Sequence, residues 1–280
     1  MKQILIISGK GGTGKTFLTG CFAAVSTNKV MVDCDVDAAN LHLLLHPEIK
    51  QTYDFISGYI AQIDKEKCTR CGECLKSCKF SAISLDFKVD HLSCEGCTVC
   101  YHVCPENAVL LKDRFCGQYF ISETKFGSLI HAKLGIAQEN SGKLVTKLKE
   151  IAKEMAEAEK AEYIIIDGPP GTGCPVMASM TGVDLVIAVT EATLSGLHDL
   201  KRVLELAKQF KVPIKVVINK YDLNPEMTLK IENQIKEIEI ICTIPFSEEI
   251  LNSVKAGIPF IEFSKSELAR TIKTSIENII

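Results

Sequence analysis

This sequence has no long run of charge of one sign. Its 32 Lys and Arg are interspersed with 35 Asp and Glu, for a net charge of −3, so the chain offers no basic stripe for nucleic acid. Apolar runs are short as well. None approaches the roughly 18 residues that a membrane-spanning helix needs. The opening run, Ile4–Ser8, leads directly into glycines, the pattern of a strand and not of an export signal. The six histidines are scattered and form no ligand pair. These absences leave a cytoplasmic globular protein as the expectation, with no membrane anchor, and the 46% hydrophobic and 24% charged composition agrees. Cysteine, in contrast, is abundant. Thirteen occur in 280 residues, in a chain too long for a secreted disulfide scaffold. Thiols stay reduced in the cytoplasm, so clustered cysteines there point to metal or redox chemistry.

Short apolar runs alternate with helical patterns. Strands are predicted at Ile4–Ser8, Lys29–Asp33, Ser128–Leu134, Tyr163–Asp167, Asp184–Thr190, Ile214–Asn219 and Glu239–Pro245. Most read as continuous hydrophobic runs, as strands buried on both faces do. Helices are predicted between them, beginning with Thr16–Ser26 and ending with Lys265–Ile279. Such alternation predicts an α/β fold with a doubly wound, mostly parallel sheet. The last helix is amphipathic, but with only Arg270 and Lys273 as bases it is expected to pack on the sheet and not on a membrane.

The alternation breaks between about Gln62 and Leu111, where the sequence repeats at a period of 26 residues. Asp64 matches Asp90, Cys68, Cys71, Cys74 and Cys78 match Cys94, Cys97, Cys100 and Cys104, and Ala82–Ile83 match Ala108–Val109. So short a segment with few large apolar groups needs something other than a core to hold it together. Each copy reads C-x2-C-x2-C-x3-C, and the second ends in Cys104–Pro105. This resembles bacterial ferredoxins with two [4Fe–4S] clusters, in which the fourth cysteine of each run ligates the other cluster. The resemblance implies one cluster on Cys68, Cys71, Cys74 and Cys104, and a second on Cys94, Cys97, Cys100 and Cys78. Zinc is the alternative metal, but its sites use two separated pairs and not three cysteines in a row plus one. Lys79 stands where the ferredoxin pattern has proline; its charge either tunes the second cluster or is simply exposed.

Gly9-Lys10-Gly11-Gly12-Thr13-Gly14-Lys15-Thr16 follows a predicted strand and opens a predicted helix, the context of a phosphate-binding loop. Backbone N–H groups at such a loop face phosphate, Lys15 reaches the β/γ-phosphates, and Thr16 holds Mg²⁺. Lys10 makes the stretch KGGTGKT resemble the deviant Walker A loop of the MinD, ParA and nitrogenase iron protein superfamily. That resemblance implies a dimer, of two copies or with a paralogue, sandwiching ATP, with Lys10 acting across it. Val32–Asn40 resembles that superfamily's switch I: Asp33 would order Mg²⁺ and Asp35 would orient the attacking water. Ile164–Gly173 resembles its Walker B and switch II, with Asp167 at the Mg²⁺ site. Asn219-Lys220-Tyr221-Asp222 reads as NKxD, in which Asn219 and Asp222 would contact the base; the motif leaves GTP open, while the deviant loop favours ATP. Cys174 lies seven residues past Asp167, where the nitrogenase iron protein has a ligand to a shared cluster, but no second cysteine partners it.

The resemblance implies a discontinuous P-loop ATPase domain over 1–61 and 112–280, with a ferredoxin-like insert over 62–111. The function it implies is a Mg-ATP-hydrolysing iron–sulfur protein whose nucleotide state gates electron transfer, or docking of a redox partner. The alternative is an assembly factor that delivers clusters or a metallocofactor to an apo-protein.

Overall fold

The computed structural model describes residues 1–135 and 140–280. Among the described residues there are nine strands: β1 (Lys2–Ser8), β2 (Lys29–Asp33), β3 (Glu48–Ile63), β4 (Val109–Thr124), β5 (Gly127–Leu134), β6 (Tyr163–Pro170), β7 (Leu185–Glu191), β8 (Ile214–Asn219) and β9 (Ile240–Ile244). The helices among the described residues are α1 (Lys15–Val25), α2 (Leu41–Leu45), α3 (Glu73–Ser77), α4 (Val99–His102), α5 (Ser141–Glu159), α6 (Cys174–Met180), α7 (Leu194–Phe210), α8 (Pro225–Gln234), α9 (Glu248–Lys255), α10 (Phe260–Phe263) and α11 (Glu267–Glu277). The strands hydrogen-bond in the order β3-β4-β5-β2-β6-β1-β7-β8-β9. Pairing is parallel from β5 across to β9. Only Lys125 and Phe126 separate β4 from β5, and so short a link closes only an antiparallel pair.

Two compact units divide the chain: Met1–Tyr53 with Gln118–Leu134 and Ser141–Ile280, and a smaller one of Asp54–Gly117 with Gly135–Asn140. In the larger unit, alternate strand residues point to opposite faces. Ile4 and Ile6 of β1, Met31 of β2 and Ile165 of β6 share one buried cluster with Phe17, Leu18 and Phe22 of α1 and with Ile272 and Ile276 of α11. The terminal amphipathic helix therefore packs its apolar stripe into this core. Helices α5 and α7 cover strands of the sheet too, burying Leu144, Leu148, Leu200 and Val203.

Several helices begin with a side-chain cap. Thr193 accepts from Gly196 N–H at 2.9 Å, and Asn224 from Met227 N–H at 3.0 Å. Helix α1 differs. It starts after Gly14 with no side-chain cap and no acid in its first turn, so its first N–H groups stay available to an outside acceptor.

In the smaller unit the 26-residue repeat recurs in the backbone. Left-handed residues fall in matched pairs: Arg70 and Gly96, Gly72 and Thr98, Ser81 and Asn107. Gly72 and Thr98 precede α3 and α4. Asp64 Oδ1 accepts from Glu66 N–H and Asp90 Oδ1 from Leu92 N–H. The copies also exchange main-chain bonds reciprocally: Asp64 N–H donates to Ala108 O at 2.8 Å, and Asp90 N–H to Ala82 O at 2.7 Å.

Candidate functional site

The glycine loop joins β1 to α1. A Cβ on Gly9 would stand 2.4 Å from Asp199 Cβ, so only glycine lets the start of the loop pass this close to α7. Gly14 has φ +96°, and its Cβ would meet Asn219 Nδ2 at 2.4 Å. By contrast, nothing lies within 4 Å of a Cβ placed on Gly11 or Gly12. The middle of the loop is an open cradle ahead of an uncapped helix N-terminus, a ready anion site. Thr13 Oγ1, buried in this loop, has no hydrogen-bond partner among the described residues, and a phosphate oxygen would satisfy it.

Behind the loop, three buried carboxylates share one ammonium. Lys15 Nζ lies 3.1 Å from Asp167 Oδ1 and 3.4 Å from Asp35 Oδ2. Thr16 and Thr19 both donate to Asp167, at 2.9 and 2.8 Å. Asp33 accepts from the N–H of Asp35 and of Leu41, each at 3.1 Å. Burial, with Asp167 adding to it, pushes the Asp33 carboxyl up to about 8. Burial also raises Asp35, against the pull of Lys15. Burial alone would lower Lys15, but Asp167, Asp35 and Asp33 together hold it above its ordinary value. An excess of buried acid over base is what a divalent cation relieves, and hydroxyl plus carboxylate oxygens suit Mg²⁺. The residues expected to hold Mg²⁺ (Thr16, Asp33 and Asp167) thus belong to one network. Thr19 also belongs to it, though the sequence reading passed over it; its position one turn after Lys15 places it on the same helix face.

Lys10 is ion-paired with Glu191 and bonded to Ser195 Oγ at 3.1 Å. Burial would raise the Glu191 carboxyl, but Lys10 and Lys220 hold it below its ordinary value. Asn219 Nδ2 donates to Thr13 O at 2.8 Å, and Asp222 Oδ1 accepts from Phe246 N–H at 2.7 Å. Both residues expected at the base thus brace backbone, and Asn219 braces the phosphate loop itself. Asp37 is exposed and caps no helix, since α2 starts after Asn40.

The glycine loop, its uncapped helix and the acid cluster at the ends of β2 and β6 define a P-loop nucleotide-binding protein of the α/β class. The chain belongs to the CobQ/CobB/MinD/ParA nucleotide-binding domain family, whose model it matches over residues 4–260. An uncharacterized protein of Methanocaldococcus jannaschii is 34% identical over 280 residues, covering 99% of this chain and 96% of that protein. The septum site-determining protein MinD of Thermotoga maritima is 26% identical over 290 residues, covering 99% and 87%. Among solved structures, MinD of Pyrococcus horikoshii complexed with Mg-ADP superposes with a TM-score of 0.61 at 19% identity, covering 99% of this chain and 95% of that one. The apo McdA structure from Cyanothece reaches 0.63 at 17%, covering 100% of both. At such identities these superpositions speak for the fold alone. The chain is a nucleotide-binding member of a MinD/ParA-like ATPase family, and ATP with Mg²⁺ fits a site of this kind.

The smaller unit holds two cavities of its own. One is lined by Cys68, Cys71, Cys74 and Cys104 together with Ile63, Phe87 and Glu106. The other is lined by Cys78, Cys94, Cys97 and Cys100 with Phe80 and Glu95. Each wall takes three cysteines from one copy of the repeat and the fourth from the other. All thirteen cysteines are free of disulfides. Among the described residues no three His, Cys, Asp or Glu side chains converge to hold a single metal ion. Four thiols instead share each cavity wall, a donor set that suits a body of several metal atoms.

Outside the repeat, Cys21, Cys34, Cys116 and Cys242 are buried. Burial pushes the Cys21 thiol up to about 12, so it is an apolar filler. Cys116 Sγ is fixed between Ser57 O and Asn140 Nδ2. Cys174 is exposed at the first residue of α6. No helix among the described residues is long and apolar enough to cross a membrane.

Proposed function

We propose that this protein hydrolyses Mg-ATP as a nucleotide-sandwiching dimer and that its nucleotide state governs electron transfer, or partner docking, at two [4Fe–4S] clusters in its smaller unit. The observation that carries the reading is the pair of cavities, each walled by three cysteines of one repeat and one of the other. That crossed set supports Cys68, Cys71, Cys74 and Cys104 as ligands of one cluster, and Cys94, Cys97, Cys100 and Cys78 as ligands of the second. When bound, such clusters accept and release single electrons.

In the larger unit, residues 9–16 would cradle the phosphates, Lys15 would neutralise the β/γ-phosphates, and Thr16, Asp33 and Asp167 would hold Mg²⁺. Asp35 would orient the attacking water, and Asn219 and Asp222 would sit at the base. Lys10 would leave Glu191 to reach the partner's nucleotide. The ferredoxin-like insert is assigned to 62–111, and the ATPase domain to 1–61 with 112–280. Chain connectivity supports coupling. Asp33 Oδ2 anchors Leu41 N–H at the start of α2, and only His46 and Pro47 separate α2 from β3, which enters the smaller unit.

Anaerobic purification with iron and sulfide analysis, beside an ATPase assay, tests the reading. About eight irons and eight sulfides per chain are expected, with hydrolysis lost in Lys15→Ala. Zinc at the cysteines, or no bound metal, would overturn it.

A further inference from the structure

This inference rests on the iron–sulfur reading above and concerns which face of the smaller unit meets another molecule. The two copies of the repeat share their backbone but not their charge. Asp64–Val89 carries six Lys and Arg against four Asp and Glu, a balance of +2; Asp90–Phe115 carries two against four, a balance of −2. Each copy exposes one cysteine at a matched position, Cys71 and Cys97. Near Cys71 stand Lys67, Arg70 and Lys76, all exposed. The matched positions near Cys97 are Ser93, Gly96 and His102, while Thr69 is matched by Glu95. Arg70 makes no ion pair among the described residues and holds φ +59°, a conformation in which a side chain is disfavoured and for which the second copy uses Gly96. Leu85, two residues from Phe87 on the same cavity wall as Cys71, is 86% exposed. Lys76 pairs with Glu73 at 3.0 Å and Lys67 lies 4.0 Å from Asp64, which leaves Arg70 as the base without an acid among the described residues; a net-basic copy with an exposed apolar residue matches an acidic surface that carries an apolar recess.

We infer that the face around Cys71, with Arg70 and Leu85, docks an acidic one-electron carrier protein, and that the Cys97 side is not its port. In the exchange the reduced carrier loses one electron and the smaller unit gains one; no proton or group moves. The opposite charge of the two copies orients the carrier on a module whose backbone alone would not distinguish its two sides.

The test is anaerobic stopped-flow mixing of the oxidised full-length protein with reduced plant-type [2Fe–2S] ferredoxin, an acidic one-electron donor, across ionic strength. Combined Lys67→Gln, Arg70→Asn and Lys76→Gln is expected to lower the second-order rate about tenfold at low salt. The difference should vanish near 1 M salt, where screening acts within about 3 Å. His102→Gln, at the exposed position that matches Lys76, should leave the rate within twofold. Asparagine tolerates left-handed backbone, and Arg70→Gly, copying Gly96, serves as a second variant should the triple one lose iron. Equal losses from the His102 and Arg70 changes, or no loss from either, overturn the port while leaving the clusters standing. A chain without iron and sulfide overturns the underlying reading, and the iron assay tells the two failures apart.

Discussion

Replacing Lys15 by methionine removes the single ammonium that three buried carboxylates share. Its contacts of 3.1 Å to Asp167 and 3.4 Å to Asp35 are each worth roughly 5 kcal/mol gross at an effective dielectric near 20. Desolvation of the ammonium offsets much of that sum, and breaking a buried set by removing one partner costs about 3–5 kcal/mol. Lys15→Met is therefore expected to destabilise the chain by about 3–5 kcal/mol at pH 8. The loss should shrink as pH falls. Burial raises Asp33 to about 8, so it takes up a proton below that value, and burial raises Asp35 above the ordinary carboxylate range as well; falling pH therefore leaves less charge uncompensated. Mg²⁺ should restore part of the stability by replacing the lost positive charge, and adding Asp167→Asn should restore more. Urea unfolding followed by circular dichroism at pH 8 and pH 6, with and without Mg²⁺, measures all of this. A loss under about 1 kcal/mol at pH 8, or an equal loss at both pH values, would refute the reasoning.

Four further outcomes are expected. Gly14→Ala should cost about 2–3 kcal/mol in urea unfolding, from left-handed strain and a broken Asn219–Thr13 bond, since its Cβ would stand 2.4 Å from Asn219 Nδ2. Gly11→Ala, in open space, should change stability by under about 0.5 kcal/mol yet weaken nucleotide binding in a fluorescent-nucleotide titration. Cys104→Ser with Cys71→Ser should leave about four irons per chain, because both line one cavity, whereas Cys104→Ser with Cys97→Ser should leave none. The His131 imidazole is pushed down to about 4 by burial and by His42. Its stabilising contribution is complete above its unfolded value near 6.5 and is lost as pH falls toward 4, up to about 3 kcal/mol. His131→Gln should flatten that part of an acid-unfolding profile.

The central strands were legible because both faces of each are buried. Ile4–Ser8 and Ile214–Asn219 read as continuous apolar runs and stand where that pattern put them. Strands β3 and β4 were not legible. In Glu48–Ile63 the first seven residues are exposed on both faces and show no alternation, so neither periodicity nor a continuous apolar run marks a strand. Helices α2 and α6, of five and seven residues, are too short to display a helical period. The phosphate loop and the acids around it were legible because loop, strand and helix signals coincide. Glu191 carried no local signal, since its role depends on Lys10 arriving from a distant segment. The left-handed backbone at Arg70, Thr98 and Asn107 was equally hidden, because none of the three is glycine.

The most direct test of nucleotide control over the smaller unit is an anaerobic redox titration, with and without Mg²⁺ and a non-hydrolysable ATP analogue. Coupling between sites of about 1–3 kcal/mol corresponds to a shift of roughly 40–130 mV for a one-electron centre. The predicted result is a shift of that size in at least one of two resolved potentials, absent in Lys15→Ala. Two potentials that ignore the nucleotide, in a chain that demonstrably binds it, would contradict the coupling.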